Sequence, residues 1–560
     1  LILECFCFWP GGVRAGQAEK SVALKAMEEE LHRSMKGLGE KGDPPPYFIS
    51  FLVTETQQTQ IAASYGALRS SSANHSRLLD VEVRVGDYQL DNTRRLRGDQ
   101  FGAVLEMFSV PVSLPVEDDL DAIRSALWLE TDKKYKAAVE RLIQVKTNTA
   151  VKVKEEDPSA DFSRETSQQF IGPLSRITLD VAQWEKRLKE YSALFNAYPE
   201  IYESNVTLSA DATNKYLVNS EGTMIQQGMP HLRLGVYAAT KADDGMGLYR
   251  YETFDVRSPE RLPDDKTVRQ AIERMAKDLL ALRAAPTIEP YTGPAILSGR
   301  AAGVFFHEIF GHRIEGHRQK DEEEGQTFTK KINQPVLPDF ISVYDDPTAE
   351  RLGDTDLNGH YLYDDEGVKS QRVAVVEKGV LKNFLMSRSP AANFEKSNGH
   401  GRKQAGLRAV GRQGNLIVEA SQSVSEEKLR EMLIEECKKQ GKPFGLIFKD
   451  ISGGFTLTGR GIPQAFQVTP IMVYRVYTDG RPDELVRGVD LIGTPLVSFS
   501  KIVACGGKPE VFNGYCGAES GFVPVAAAAP SLLTAQIEIQ KKEKSTDRPP
   551  LLPPPGRRVQ

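Results

Sequence analysis

The sequence predicts an α+β protein in which a mixed α/β N-terminal half is followed by a β-rich C-terminal domain that opens with a histidine-bearing helix. Three observations predict it. At 560 residues the chain is long enough for two or more domains with sizeable cores. Before residue 290, segments of helical periodicity alternate with runs rich in Val, Ile, Phe and Thr; after residue 294, β-rich runs and Gly-containing turns predominate. Hydrophobic residues make up 40% and charged residues 26%, the balance of a globular chain, which excludes disorder outside the ends.

In chain order, residues 1–18 (LILECFCFWPGGVRAGQA) combine a short apolar run, a Pro-Gly break and a small-residue site at Ala15 to Ala18. They read as a truncated signal peptide, which favours export to the periplasm; a cytoplasmic location is the alternative. Residues 19–165 form an N-terminal α+β region. A helix ends at Asp43-Pro44-Pro45-Pro46, since proline lacks the N–H donor. Strands follow over 47–68 and 81–90, joined by a Ser-rich loop at 70–76. Leu120, Ile123, Leu127, Val139 and Leu142 mark an amphipathic helix, and 146–163 reads as an exposed linker.

Residues 166–290 form a middle α+β domain, with a helix over 182–196, strands over 216–224 and 231–251, and a turn at Asp243-Asp244-Gly245. A closing helix carries Val268, Ile272, Met275 and Leu279 and ends at Ala285-Pro286. Residues 291–540 form the β-rich C-terminal domain, with a further helix at 425–440. Residues 541–560 are basic, then Pro-rich, and read as a flexible tail.

Composition removes several functions. With 71 basic against 76 acidic residues the net charge is only -5, so no global field draws the chain to nucleic acid or anionic lipid. No apolar stretch is long enough to cross a bilayer as a helix. Five cysteines, none between Cys7 and Cys437, make no disulfide framework. Neither G-x-x-x-x-G-K-[ST] nor G-x-S-x-G occurs, which leaves nucleotide hydrolysis and serine esterase chemistry without support.

The densest chemistry lies in residues 303–319 (GVFFHEIFGHRIEGHRQ), which hold three of the eight histidines. His307-Glu308 followed by His312 is an H-E-x-x-x-H arrangement. Zinc proteases with histidines at i and i+4 place them about 40° apart round a helix, so both reach one metal while the Glu activates water. At i and i+5 the separation is about 140°, too wide for one ion. A shared metal therefore demands a π-type turn or a kink between His307 and His312, and Gly311 relaxes the backbone there. Two histidines also leave zinc short of a third ligand, a His, Cys or carboxylate from elsewhere. His317 repeats the i+5 offset from His312 and reads as a surface histidine.

The segment AAGVFFHEIFGHRIEG resembles the metal-binding stretch of the TldD/PmbA family, zinc peptidases of bacteria and archaea. Residues 363–372 (YDDEGVKSQR) resemble the family's D-D-E-G-V-x-x-Q-R, residues 398–402 its N-G-x-G-R, and residues 513–525 (NGYCGAESGFVPV) the segment whose cysteine completes the zinc site. The likeness covers roughly residues 170–540. It implies Zn2+ as cofactor, with His307, His312 and Cys516 as ligands and water in the fourth position. It implies Glu308 as the general base in attack of zinc-bound water on a peptide bond. The intact histidine motif implies the TldD-like, catalytic type, since the PmbA type lacks it. The family further implies a homodimer, or a heterodimer with a PmbA-like subunit, hydrolysing unfolded or short peptides in peptide maturation or degradation. Gly521 stands where the family often has a Gln, which bears on substrate contacts and not on the metal.

Two other functions fit the same residues. One is a cysteine hydrolase with Cys516 as nucleophile; the other is a non-catalytic, zinc-stabilised peptide-binding or scaffold protein. Cys505 competes with Cys516 for the third ligand position, and Cys437 reads as structural. Asp364, Asp365 and Glu366 read as a β-turn in preference to a cation site. His360 and His400 orient substrate or pack, and the charge run 321–324 reads as a solvated loop.

Overall fold

A computed structural model describes residues 19–96, 110–150, 157–321, 324, 327–456, 458–459, 466–542, 547–552 and 555. The signal-peptide reading of residues 1–18, and parts of the linker, charge run and tail, lie outside the described residues.

Strands β1 (Pro46–Ser64), β2 (Ala67–Val85), β3 (Val112–Leu114), β4 (Gln169–Ile171), β5 (Glu203–Asn219), β6 (Met224–Lys241) and β7 (Gly247–Val256) form one sheet in the order β3-β2-β1-β5-β6-β4, with β7 also on β6. The two regions divided at residue 165 on composition therefore share a sheet: β1 pairs antiparallel with β5 from Ser50↔Asn219 to Ala63↔Val206. Helices α1 (Val22–Lys41), α2 (Leu120–Ala150), α3 (Val181–Ala193) and α4 (Asp265–Ala284) bury their apolar stripes on one face. Leu24, Met27, Ile123 and Leu127 pack over Ile49, Phe51 and Val53. Trp184, Leu188, Ile272 and Leu279 pack over Ile61, Leu208 and Leu234 further along the same strands. Leu52, Leu217 and Ile225 point from the opposite face onto Tyr363 of the C-terminal half.

Three local expectations are corrected. Residues 70–76 are strand, not loop: Ser70, Ser72 and His75 pair with Ala62, Gln60 and Gln57, and the turn is at Tyr65-Gly66, both at positive φ. Their polar composition marks exposure; the backbone ladder is satisfied by β1. The strand expected over 216–224 is broken after Asn219, whose side chain accepts the Glu221 and Thr223 N–H groups in a turn closed by Gly222 at φ +93°. The expected linker is helical to Ala150, and Phe162 beyond it is buried between the guanidiniums of Arg84 and Arg388, at 3.6 and 3.8 Å from its ring. The turn at Asp243 to Gly245 joins β6 to β7, with Gly245 at φ +89°.

The C-terminal half holds an eleven-stranded sheet. Its longer strands are β8 (Tyr291–Leu297), β9 (Ile341–Asp345), β10 (Val373–Glu377), β11 (Asn415–Ala420), β12 (Phe444–Thr456), β13 (Phe466–Tyr477), β14 (Val489–Gly493), β15 (Ile502–Ala518) and β16 (Gly521–Lys541). Five of them close a circuit: β8 pairs with β12, β12 with β13, β13 with β14, β14 with β16, and β16 returns to β8. Closure leaves these strands without an open edge in the circuit. β16 is long enough to serve as the spine, pairing also with β15 in a hairpin and with β11 in parallel.

Helix α5 (Gly299–Ile309) follows β8 directly and lies on β16. A Cβ on Gly299 would come 2.6 Å from the Ala529 carbonyl oxygen, and one on Gly303 2.8 Å from that of Ala527. Glycines at i and i+4 against the run Ala526 to Ala529 let the two backbones approach more closely than side chains permit. The opposite side of the helix is filled by Phe305 and Phe306, whose rings meet Phe466 and Phe499 at centroid distances of 5.4–6.0 Å. The helix is thus buried nearly all round, with only Arg300 partly exposed and His307 and Glu308 buried among apolar neighbours.

Candidate metal centre

The helix carrying His307 and Glu308 ends at Ile309, and Gly311 to Arg313 form a 3-10 turn. The π-type turn does not form: the Phe310 N–H bonds the Phe306 carbonyl in the ordinary α pattern, and the Arg313 N–H bonds that of Phe310. The chain leaves the helix axis at Phe310, whose φ of -105° lies about 40° from the helical value. That bend is the kink alternative, and it brings the imidazoles of His307 and His312 to a ring separation of 5.2 Å at 78°. Gly311 is needed for close approach: a Cβ there would overlap the buried side chain of Gln413, whose amide reaches back to the His307 carbonyl at 3.5 Å.

The third donor comes from the β15–β16 hairpin. Cys516 pairs with Val523 and turns inward with Val523 and Val525. Its Sγ lies 3.3 Å from Nε2 of His312, and the ligand atoms of His307, His312 and Cys516 lie within 4.8 Å of one another, all three residues buried. Burial would push the Cys516 thiol up, but His312 and His307 together hold it well below the ordinary thiol range. Burial lowers both histidines in turn, and the Cys516 charge raises them above the usual imidazole value. Two imidazoles and a thiolate converging from two segments are a donor set that fits zinc, with a fourth position left for another oxygen ligand. Glu308 is buried beside this set, next to Gly454 of β12, where a Cβ would come 3.1 Å from its Cγ.

Other sequence candidates are placed elsewhere. Cys505 lies on β15 opposite Leu532, eleven positions before Cys516 on the same strand, so neither ligation beside Cys516 nor a disulfide with it is in reach. Burial raises its thiol to about 12. Cys437 is packed with Leu429 and Leu433. His317 is not a simple surface residue: it makes a short contact with Glu519 at the tip of the Cys516 hairpin. His400 is fully buried between Asp345 and Asn398, and His360 bonds the Pro347 carbonyl. Asp364 to Gly367 form the expected turn, with Gly367 at φ +81°, but a buried one.

Sequence reading missed the buried residues behind the donors. Glu315 lies 3.3 Å from Nδ1 of His312, and Arg318 and Arg412 lie 2.9 and 3.3 Å from Glu315. Glu315, His317 and Glu519 also come together, but the two arginines neutralise that group, so it is a strut and not a second metal site. The i+3 spacing from His312 to Glu315 was the available local signal.

Residues 290–541 match the family description "PmbA/TldA metallopeptidase C-terminal domain". The chain is 29% identical over 262 residues to a metalloprotease of Methanocaldococcus jannaschii, covering 47% of this chain and 53% of the relative. It is 24% identical over 227 residues to a protein of Saccharolobus solfataricus named zinc metalloprotease TldD homolog, covering 40% and 45%. Its matches thus span about half the length of these relatives. The fold is similar to the crystal structure of TldE from Thermococcus kodakarensis, with a TM-score of 0.59 at 12% identity over 92% of this chain and all of that one. Among the described residues no helix is long and apolar enough to cross a membrane.

Proposed function

We propose that this chain is a zinc-dependent peptidase of the TldD-like type, with His307, His312 and Cys516 as ligands and Glu308 as general base, a reading that the metallopeptidase-domain match over residues 290–541 supports. The observation that carries the reading is the convergence of one thiol and two imidazoles within 4.8 Å, with Glu308 adjacent to a ligand in sequence. When bound, zinc would supply Lewis acidity towards the scissile carbonyl and the attacking water. Glu308 takes the proton as water adds to the carbonyl and delivers it to the departing amine. His312 and His307 keep Cys516 in the thiolate form that a soft metal takes.

The substrates we propose are unfolded or short peptides, in peptide maturation or degradation, with a dimer of this chain or a PmbA-like partner enclosing the site. A second reading has one observation behind it: the 3.3 Å approach of Cys516 Sγ to His312 would also serve a thiol nucleophile with a histidine base. Metal content and hydrolysis of an unstructured peptide, measured before and after chelation and after zinc is restored, separate the two. Zinc-dependent loss and recovery of activity is expected; activity that survives complete metal removal would overturn the metallopeptidase reading in favour of the thiol.

A further inference from the structure

Glu315 is fully buried, yet it is surrounded by charge: Nδ1 of His312 at 3.3 Å, Nε of Arg318 at 2.9 Å and Nε of Arg412 at 3.3 Å. A carboxylate paired with two guanidiniums offers only acceptor oxygens to His312, so the hydrogen on His312 belongs on Nδ1. That leaves Nε2, the nitrogen 3.3 Å from Cys516 Sγ, as the lone-pair donor on the ligand side. Glu315 is itself fixed from the backbone, through a bridge to Leu385 and the bond from the Gly316 N–H to the Leu385 carbonyl at 2.8 Å.

The arginines carry this anchorage to the other ligand. Arg412 is fully buried; its Nη2 donates to the Cys516 carbonyl at 2.8 Å, and its Nη1 donates to Ser520 Oγ at 2.7 Å and the Gly521 carbonyl at 3.1 Å. Arg318 donates from Nη2 to Glu519 at 2.8 Å. One guanidinium thus faces Glu315 as an ion pair on one edge and hydrogen-bonds the hairpin that presents Cys516 on the other, a span that needs the planar fork of arginine. We infer that Glu315 is a positioning residue of the metal centre, setting the tautomer of His312 directly and the placement of Cys516 through Arg412. The inference rests on the assignment of His307, His312 and Cys516 as zinc ligands.

Zinc affinity of the full chain, read by competition with a chromophoric chelator, and the visible spectrum of the cobalt-substituted protein test it. Because Glu315→Ala strands two buried guanidiniums, Glu315→Gln and Arg412→Lys are measured beside it. Glu315→Ala is expected to weaken zinc binding by roughly 10- to 100-fold, the range for removing a carboxylate behind a ligating histidine. Glu315→Gln, whose amide oxygen still accepts from Nδ1, is expected to lose less and to shift the cobalt spectrum. Arg412→Lys is expected to weaken the thiolate-to-cobalt absorption. Wild-type zinc affinity and cobalt spectra in Glu315→Gln and Arg412→Lys, even with lowered thermal stability of the metal-free protein, would make Glu315 a packing residue and overturn the inference alone. A wild-type chain that binds no zinc would overturn the ligand assignment instead.

Discussion

Gly303 lies so close to Ala527 that a single added methyl group would come 2.8 Å from the Ala527 carbonyl oxygen. The histidine helix and the strand that continues into the cysteine hairpin are therefore set at backbone-to-backbone distance, and that distance fixes how far His307 stands from Cys516. Gly303→Ala should gain up to about 1 kcal/mol of helix propensity and lose about 1–3 kcal/mol to the clash, because a backbone oxygen in a paired strand cannot step aside. Denaturant titration should show net destabilisation, and the same variant should bind zinc more weakly. A variant as stable as wild type would mean that the helix can slide on β16.

Glu308→Gln keeps the size of the side chain and removes the base. It should retain close to full zinc and ordinary stability while hydrolysis falls roughly 10²- to 10⁴-fold, the usual effect of losing general-base catalysis. Loss of zinc in this variant, measured by metal analysis, would recast Glu308 as a ligand.

Cys516→Ala and Cys505→Ala remove the same atom from opposite ends of one strand. Only the first takes a thiolate from beside His312, so only the first should empty the site of zinc. Cys505→Ala should instead cost a modest amount of stability, about 1–2 kcal/mol, through loss of a buried sulfur packed in the core. Equal zinc content in the two variants would refute the assignment of Cys516.

How much of this was legible in the sequence follows from the range of the forces involved. Helical periodicity placed α2 and α4 because each buries a single stripe, and the i+5 spacing announced a distortion between His307 and His312 because a regular helix cannot serve one ion at that offset. The kind of distortion was not legible: at the bend, Gly311 leaves room for the side chain of Gln413, a neighbour brought there from across the chain. Cys516 came from a resemblance and not from spacing, and Arg412, which holds its carbonyl from 104 residues away, gave no local signal at all. The Ser-rich part of β2 was misread because its composition reports exposure, whereas its strand character comes from pairing with β1.

The acidic turn provides a pH-dependent prediction away from the metal. Asp364 accepts the Glu366, Val368 and Gly401 N–H groups, and Glu366 accepts the Arg388 N–H, all in the buried contact between the β5 side of the N-terminal sheet and the C-terminal half. Glu82 and Arg84 face Glu366 from β2, Arg388 faces it from the C-terminal half, and Lys215 of β5 is engaged by the neighbouring Asp365. Burial raises Glu366 from 4.5 to about 7 and raises Asp364 well above the carboxylate range, with Glu366 adding to the latter shift. A carboxyl whose folded pKa is raised holds its proton more tightly in the folded state. Its stabilising contribution is therefore complete below pH 4.5 and is lost as pH rises through about 7. Glu366→Gln mimics the protonated acid at every pH, and its amide can donate towards Asp364 while its oxygen accepts from Arg388. Urea unfolding at pH 5 and pH 8 should show the variant gaining stability relative to wild type at the higher pH. A stability difference that is the same at both values would mean that Glu366 stays protonated, or stays ionised, across the whole range.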